Sequence, residues 1–404
     1  MTPTHSRPAD TWSPLYFLAS LGAGGLAVTF FMYLMFWVPH PGQPVPVFED
    51  ILAAFTDGGL AIRMAIAVAV TGIAGFAFLN IKLLIWNLRR LAEFKRTEAH
   101  ARLVTSNGET QLLAMPLALA MSVNAGFILG LVFVPGLWNV VEYLFPLAMV
   151  AFALIGWIAF RRIGAFLARV LSEGGVFDVT ANNSFAQLLP AFALSMVAVG
   201  MAAPAAMSTN PTTVGIALVL SIMLGTVAAL YALVAAIVAL NSMLHYGTAK
   251  ESAPTLMVVI PILTILGIMT MRQEHGLHTT FAAHGGMADT LILTTTILAV
   301  QIVFLALGLL VLRRQDYART YLSGPKTSAG SYALVCPGVA LSVMLHFWIN
   351  KGLVSAGLIA QFGLAYWVLT AVAIAAQVAM IVLVFALNRR HFAPRAETLA
   401  VPAE

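Results

Sequence analysis

Residues Gly330–Gly352 read GSYALVCPGVALSVMLHFWINKG. The run is apolar and long enough to cross a bilayer, yet it carries three features that a lipid-facing helix lacks. The only cysteine of the chain, Cys336, stands directly before Pro337. Ser342 follows five residues later. His346, Asn350 and Lys351 then put polar groups along one side. A proline removes a backbone donor, crowds the carbonyl four residues back and pushes its predecessor away from helical geometry. The expectation is a helix kinked near one end and polar along one face. In a bilayer such a segment persists only where neighbouring helices or a water-filled lumen satisfy the freed groups, so this helix is expected to line something.

Working outward, the 404-residue chain is 60% hydrophobic and 9% charged. Soluble domains average about 25% charged residues, so there is too little polar surface here to cover a globule. The apolar residues fall into runs of about twenty, the length that spans a hydrocarbon core. Ten spans are expected, at roughly 13–38, 60–88, 111–134, 138–161, 185–207, 212–245, 253–272, 287–312, 330–350 and 360–388. They form one membrane domain over 13–390, between a cytoplasmic segment 1–12 and a disordered tail 391–404. With this layout 18 of the 21 lysines and arginines fall on one side, and only Arg63, Arg272 and Lys351 fall on the other. The positive-inside rule then places both termini in the cytoplasm. The formal charge of +5 is thereby accounted for and does not imply nucleic-acid binding. A single cysteine excludes an internal disulfide and any all-cysteine metal site.

An internal repeat emerges when the odd spans are aligned. Span 1 holds PLYFLAS from Pro14, span 3 PLALAMS from Pro116, span 5 PAFALS from Pro190 and span 9 PGVALS from Pro337. Span 7 is an imperfect copy, with Pro254 and Pro261. In four of the five a serine lies five or six residues on: Ser20, Ser122, Ser195 and Ser342. Even spans lack the pattern, so the chain reads as five copies of a two-helix unit. Small residues on the same helices, such as Gly22, Gly24 and Gly25, permit close helix packing.

This arrangement resembles the tellurite-resistance/dicarboxylate transporter family, which includes TehA and the slow-type anion channels. The resemblance covers roughly residues 13–390 and rests on architecture and proline placement. It implies an all-α polytopic fold of ten helices as five tandem hairpins, with the odd helices in an inner ring around a pore. It further implies conduction of small anions across the inner membrane, a homotrimer, and a phenylalanine of span 9 that plugs the pore. Phe347 is the only phenylalanine of span 9. Cys336 before Pro337 is also similar to the TsoY-type branch, in which some members carry selenocysteine.

The residues themselves give further candidates. His346 lies nine residues past Pro337, ~13 Å deeper at helical rise, and an ionisable group at that depth is a candidate pore ligand or gate. The prolines and the four serine hydroxyls are expected on the pore wall, the hydroxyls replacing part of an anion's hydration shell. Lys351, Arg63 and Arg272 would form a positive rim that attracts anions. Cys336 is a candidate redox thiol, which keeps open an alternative reading as a membrane redox or sulfur/selenium-handling protein. His275, His278 and His284 sit in the longest loop of the less basic side. With Glu274 adjacent they have the chemistry of metal ligands, but a polar loop is the expected reading, so neither a metal nor a cofactor is expected. Nothing resembles a catalytic triad, a nucleotide-binding loop or paired carboxylates in the membrane, and no enzyme activity is expected.

Overall fold

The computed structural model describes residues 7–283 and 286–393; His284 and the tail beyond 393 lie outside them. No strand occurs among the described residues. Ten helices are long and apolar enough to cross a membrane: α1 Pro14–Trp37, α2 Leu60–Phe94, α3 Asn107–Phe133, α4 Leu137–Glu173, α5 Phe185–Met207, α6 Pro211–Tyr246, α7 Ala253–Phe281, α8 Ala288–Arg314, α9 Ala329–Val354 and α10 Leu364–Phe392. Their ends extend several of the expected spans, most of all α4, because the amphipathic residues after Phe160 continue the helix beyond the apolar run.

Burial alternates along the chain. In the most apolar window of each odd helix 56% to 94% of the residues are buried, against 17% to 33% in each even helix. Most of the large exposed apolar side chains, such as Phe78, Trp157, Leu230 and Phe385, lie on even helices. That is the surface a bilayer would cover. Each even helix packs between two odd ones: α2 on α1 and α3, α4 on α3 and α5, α6 on α5 and α7, α8 on α7 and α9, α10 on α9 and α1.

The odd helices share an opening. Each begins with a 3₁₀ turn, at Pro14–Tyr16, Asn107–Leu113, Phe185–Leu188, Ala253–Met257 and Ala329–Leu334, and then relaxes into α-helix. Four of these turns are capped by a serine hydroxyl that accepts the backbone N–H two residues on: Ser13, Ser106, Ser184 and Ser328. The repeated prolines sit within these turns or in the first turn of the α-helix that follows, where no intrahelical partner exists for the missing N–H. Pro116, Pro190, Pro261 and Pro337 all occupy that first α turn. The proline repeat therefore marks the change from 3₁₀ to α geometry near one end of each odd helix, the end at which the sequence reading expects a kink. The five turns pack neighbour on neighbour, so the odd helices all begin at one face, here called the basic face.

Helix seams are drawn together by small residues and polar clasps, since apolar side chains gain nothing by leaving lipid. The amide of Asn80 in α2 donates to the Ser20 carbonyl at 2.8 Å, while Ser20 Oγ donates to the Asn80 carbonyl at 2.9 Å. Two turns on, Asn87 donates to the Tyr16 carbonyl at 3.0 Å. Gln301 in α8 reaches the Ile260 carbonyl at 3.0 Å and Thr264 Oγ1 at 2.7 Å. Gly276 lets α7 close on the end of α5: a Cβ there would stand 2.3 Å from the Ala205 carbonyl oxygen, which is backbone and has no rotamer to yield. Gly276→Ala is expected to destabilise the protein by about 1–3 kcal/mol. Gly75→Ala in α2, where a Cβ meets nothing within 4 Å, is expected to be neutral. Thermal unfolding of the purified variants in detergent checks both.

Candidate functional site: two cavities that meet at Phe192, Pro261 and Cys336

The odd helices leave space between them. A cavity of about 880 Å³ is walled by residues of α1, α3, α5, α7 and α9, with three from α4, and runs to His40–Val45, to Ala283 and Gly286, and to Asp289 and Thr290 at the start of α8. A second cavity of about 430 Å³ lies at the basic face among the opening turns, and its wall includes Ser13, Tyr16, Gln111, Glu251 and Ser328. The two walls have three residues in common: Phe192 of α5, Pro261 of α7 and Cys336 of α9. These three side chains form the neck between the cavities. Phe192 is 3% exposed and Cys336 7% exposed, so the neck is closed by packed apolar and thiol groups.

The first α turn of each contributing helix sets this geometry. Pro261 and Cys336 both fall in that turn, just after the 3₁₀ opening, and Phe192 falls in the corresponding turn of α5. The three lie at one level because the three helices start at one face with the same opening.

The larger cavity is mostly apolar, and its charged groups are unevenly placed. Arg272 and Lys351 both lie on its wall. Neither has a carboxylate within 4.0 Å among the described residues. Arg272 Nη1 donates to the Val199 carbonyl at 2.8 Å. Val199 is seven residues past Phe192, so the guanidinium is held ~10 Å from the neck at helical rise. Glu274 and Asp289 also touch the cavity, nearer its mouth. Asp289 is engaged in capping α8, accepting the Gly286 N–H at 2.8 Å. Arg272 is thus the deepest charge on the wall. In the smaller cavity Glu251 accepts a hydrogen bond from Ser328 Oγ at 2.6 Å.

Several expected site residues lie elsewhere. None of the four repeat serines is on the wall of either cavity. Ser20 and Ser342 turn toward the even helices, with Ser342 Oγ donating to the Ala373 carbonyl at 2.8 Å. Ser122 Oγ bonds back to Ala118 of its own helix at 2.9 Å, and Ser195 is fully buried. A hydroxyl beside a neighbouring backbone carbonyl is satisfied there and is lost to a lumen. Of the prolines, Pro261 and Pro337 reach a cavity, whereas Pro14, Pro116, Pro190 and Pro254 do not. Arg63 is exposed at the start of α2 and bonds the Thr56 carbonyl, away from both cavities.

Phe347 does line the larger cavity, edge-on to Phe36 at 5.5 Å. It stands eleven residues past Cys336, ~16 Å from the neck, so it is not among the three residues that divide the cavities. His346 is on neither wall. It is fully buried in an aromatic box of Tyr33 at 5.9 Å, Phe36 at 6.4 Å and Trp37 at 6.5 Å. Both of its ring nitrogens lack a partner, as do the nearby α10 atoms Thr370 Oγ1 and Gln377 Nε2. The helix here widens to a π-turn over Trp348–Val354, where Asn350 donates to the His346 carbonyl at 2.8 Å and accepts from Tyr366 at 3.0 Å. His275 and His278 both line the mouth of the larger cavity.

Phe192 is the residue that sequence reasoning missed. It follows Pro190 by two positions, but α5 is buried on every side, so no apolar periodicity distinguishes one of its faces from another. Because Cys336 is the only cysteine, a thiol reagent reports on the neck alone. Alkylation of Cys336 is expected to be slow in the native protein and at least tenfold faster in Phe192→Ala, as about 80 Å³ of ring volume leaves the neck. Mass spectrometry of maleimide-treated protein gives both rates, and equal rates would remove Phe192 from the neck. No protein-family model matches the chain, and no curated protein or solved structure is significantly similar to it.

Proposed function

We propose that the chain conducts small anions across a membrane, along a path that runs between α1, α3, α5, α7 and α9 and through the neck at Phe192, Pro261 and Cys336. The observation that carries the reading is the pair of cavities entering from opposite faces and meeting at three shared residues. The odd helices also pack in a closed series, α1 on α3, α3 on α5, α5 on α7, α7 on α9 and α9 on α1. That series supports an inner ring of five within an outer layer of five, arranged as tandem hairpins, and agrees with the resemblance to the tellurite-resistance/dicarboxylate transporter family.

Charge sign follows from depth. An ion entering the larger cavity meets Glu274 and Asp289 near the mouth, but the charge closest to the neck is the Arg272 guanidinium. In a narrow low-dielectric space the nearest charge dominates, because the field is screened least there. A cation passing the neck would have to pass that guanidinium with no carboxylate to offset it. In this reading the basic face is cytoplasmic, as the distribution of lysine and arginine directs.

The position of Cys336 in the neck favours one other reading, in which the thiol acts on a sulfur or selenium compound delivered by either cavity. Cys336→Ser separates the two, since conduction does not need the sulfur.

Protein reconstituted in liposomes is expected to carry nitrate and chloride, with a reversal potential that follows the anion gradient. Phe192→Ala is expected to raise the flux at least tenfold by opening the neck, a barrier change of about 1.4 kcal/mol or more. Phe347→Ala is expected to leave it within about twofold, since its ring is remote from the neck. A reversal potential that tracks the cation gradient overturns the proposal.

A further inference from the structure

The larger cavity is far more than a small hydrated ion requires. Its volume of about 880 Å³ lies near the upper end of the range of about 300–1,000 Å³ found for pockets that enclose organic ligands. Between the neck and Arg272 the wall is formed by side chains such as Leu21, Met121, Met196, Ile265, Val339 and Val343. The polar groups at this depth are few. Thr264 is already spent, donating to the Ala340 carbonyl at 3.1 Å and accepting from Gln301 at 2.7 Å. Asn124 reaches only the Met196 sulfur, at 3.6 Å. At about 880 Å³ the chamber holds a small inorganic anion together with its water, at about 30 Å³ per water, so its apolar wall plays no part in binding such an ion.

Above the chamber stands Arg272. One of its donors is fixed on the Val199 carbonyl, which holds the guanidinium in place. The side chain is partly exposed, lies on the cavity wall and makes no other hydrogen bond among the described residues, which leaves its remaining N–H groups free to donate. A fixed guanidinium with a free edge matches a carboxylate, which it binds through two parallel hydrogen bonds. An apolar chamber next to such an edge matches a ligand with a carboxylate at one end and a hydrocarbon body at the other. The methionines of the wall adapt to bodies of different shape.

We infer that the larger cavity is a binding site for organic monocarboxylates with an apolar body, the carboxylate on Arg272 and the body directed into the chamber toward Phe192. The inference deepens the conduction reading by naming the class of anion, and it rests on that reading only for the claim that such acids cross the membrane. Asn124, beside Met121 and Met196, is placed to accept or donate to a ring substituent on the body. Dicarboxylates fit poorly, because a second carboxylate would lie in the apolar chamber with no second cation to balance it.

The test uses the intact protein in lipid nanodiscs, titrated calorimetrically with acetate, butanoate, hexanoate and benzoate, and with hexan-1-ol as the uncharged control. Affinity is expected to rise at least tenfold from acetate to hexanoate, a lower limit given that each buried methylene contributes roughly a fourfold gain. Arg272→Gln is expected to weaken hexanoate at least tenfold, with hexan-1-ol unchanged within about twofold and binding partly restored in Arg272→Lys. A series flat in chain length, or hexanoate binding unaffected by Arg272→Gln, overturns the inference. The native series decides even where Arg272→Gln does not fold. Chloride and hexanoate flux from liposomes reconstituted with the same protein separates the two claims. Flux of either with a flat series discards the ligand class and keeps conduction, whereas a steep series with flux of neither keeps the site and discards conduction.

Discussion

Close approach at the middle of α1 is the constraint on which the other contacts depend. Around Gly22, Gly24 and Gly25 the helix has no side chains, and three neighbours move into the space. A Cβ at Gly22 would stand 2.8 Å from Val335 Cγ1, one at Gly25 2.8 Å from Val339 Cγ1, and one at Gly24 2.7 Å from Met121 Cγ. Val335 and Val339 flank Cys336 on α9, so the seating of α9 on α1 also fixes how far the thiol reaches toward Phe192 and Pro261. Van der Waals contact of this kind is the main attraction left to helices surrounded by lipid. A side chain at Gly22 or Gly25 would push α9 outward and alter the neck before it altered any other part of the molecule.

The second organising feature is the shared opening of the odd helices. A serine cap, a 3₁₀ turn and a proline in the first α turn recur at the basic face. The proline costs nothing where no N–H partner exists, and it fixes the backbone as the chain enters the helix. Repetition of this start brings the first α turns of α5, α7 and α9 to one depth, and the neck is made at that depth. Below it the opening turns surround the smaller cavity; beyond it the helices diverge around the larger one.

The polar groups divide into two populations with different consequences. Asn80, Asn87, Gln301 and Ser342 hold helix seams together by donating to backbone carbonyls. His346, Thr370 and Gln377 are buried between α1, α9 and α10 with polar atoms left over. Burial without a partner is unfavourable, and the π-turn that follows His346 is a departure from regular helix of the kind found beside functional elements. This seam lies behind Phe36 and Phe347, none of His346, Thr370 and Gln377 is on a cavity wall, and the histidine is packed against aromatic rings.

Ten helices of this kind were legible in the amino-acid sequence because hydrocarbon thickness and hydropathy leave little freedom. The alternation of roles was legible as well, since proline and glycine cluster on alternate runs, and those are the buried ones. The site was legible only in part. Cys336, Pro261, Arg272, Lys351 and Phe347 were singled out by type and do border the cavities. The four serines were singled out by the same logic and lie on neither cavity wall. A helix that is apolar all round presents no stripe, so its rotation about its own axis is set by contacts with residues distant in the chain. That rotation put Phe192 in the neck and turned Ser195 away from both cavities, and it is a property of ten packed helices that no single run of residues encodes.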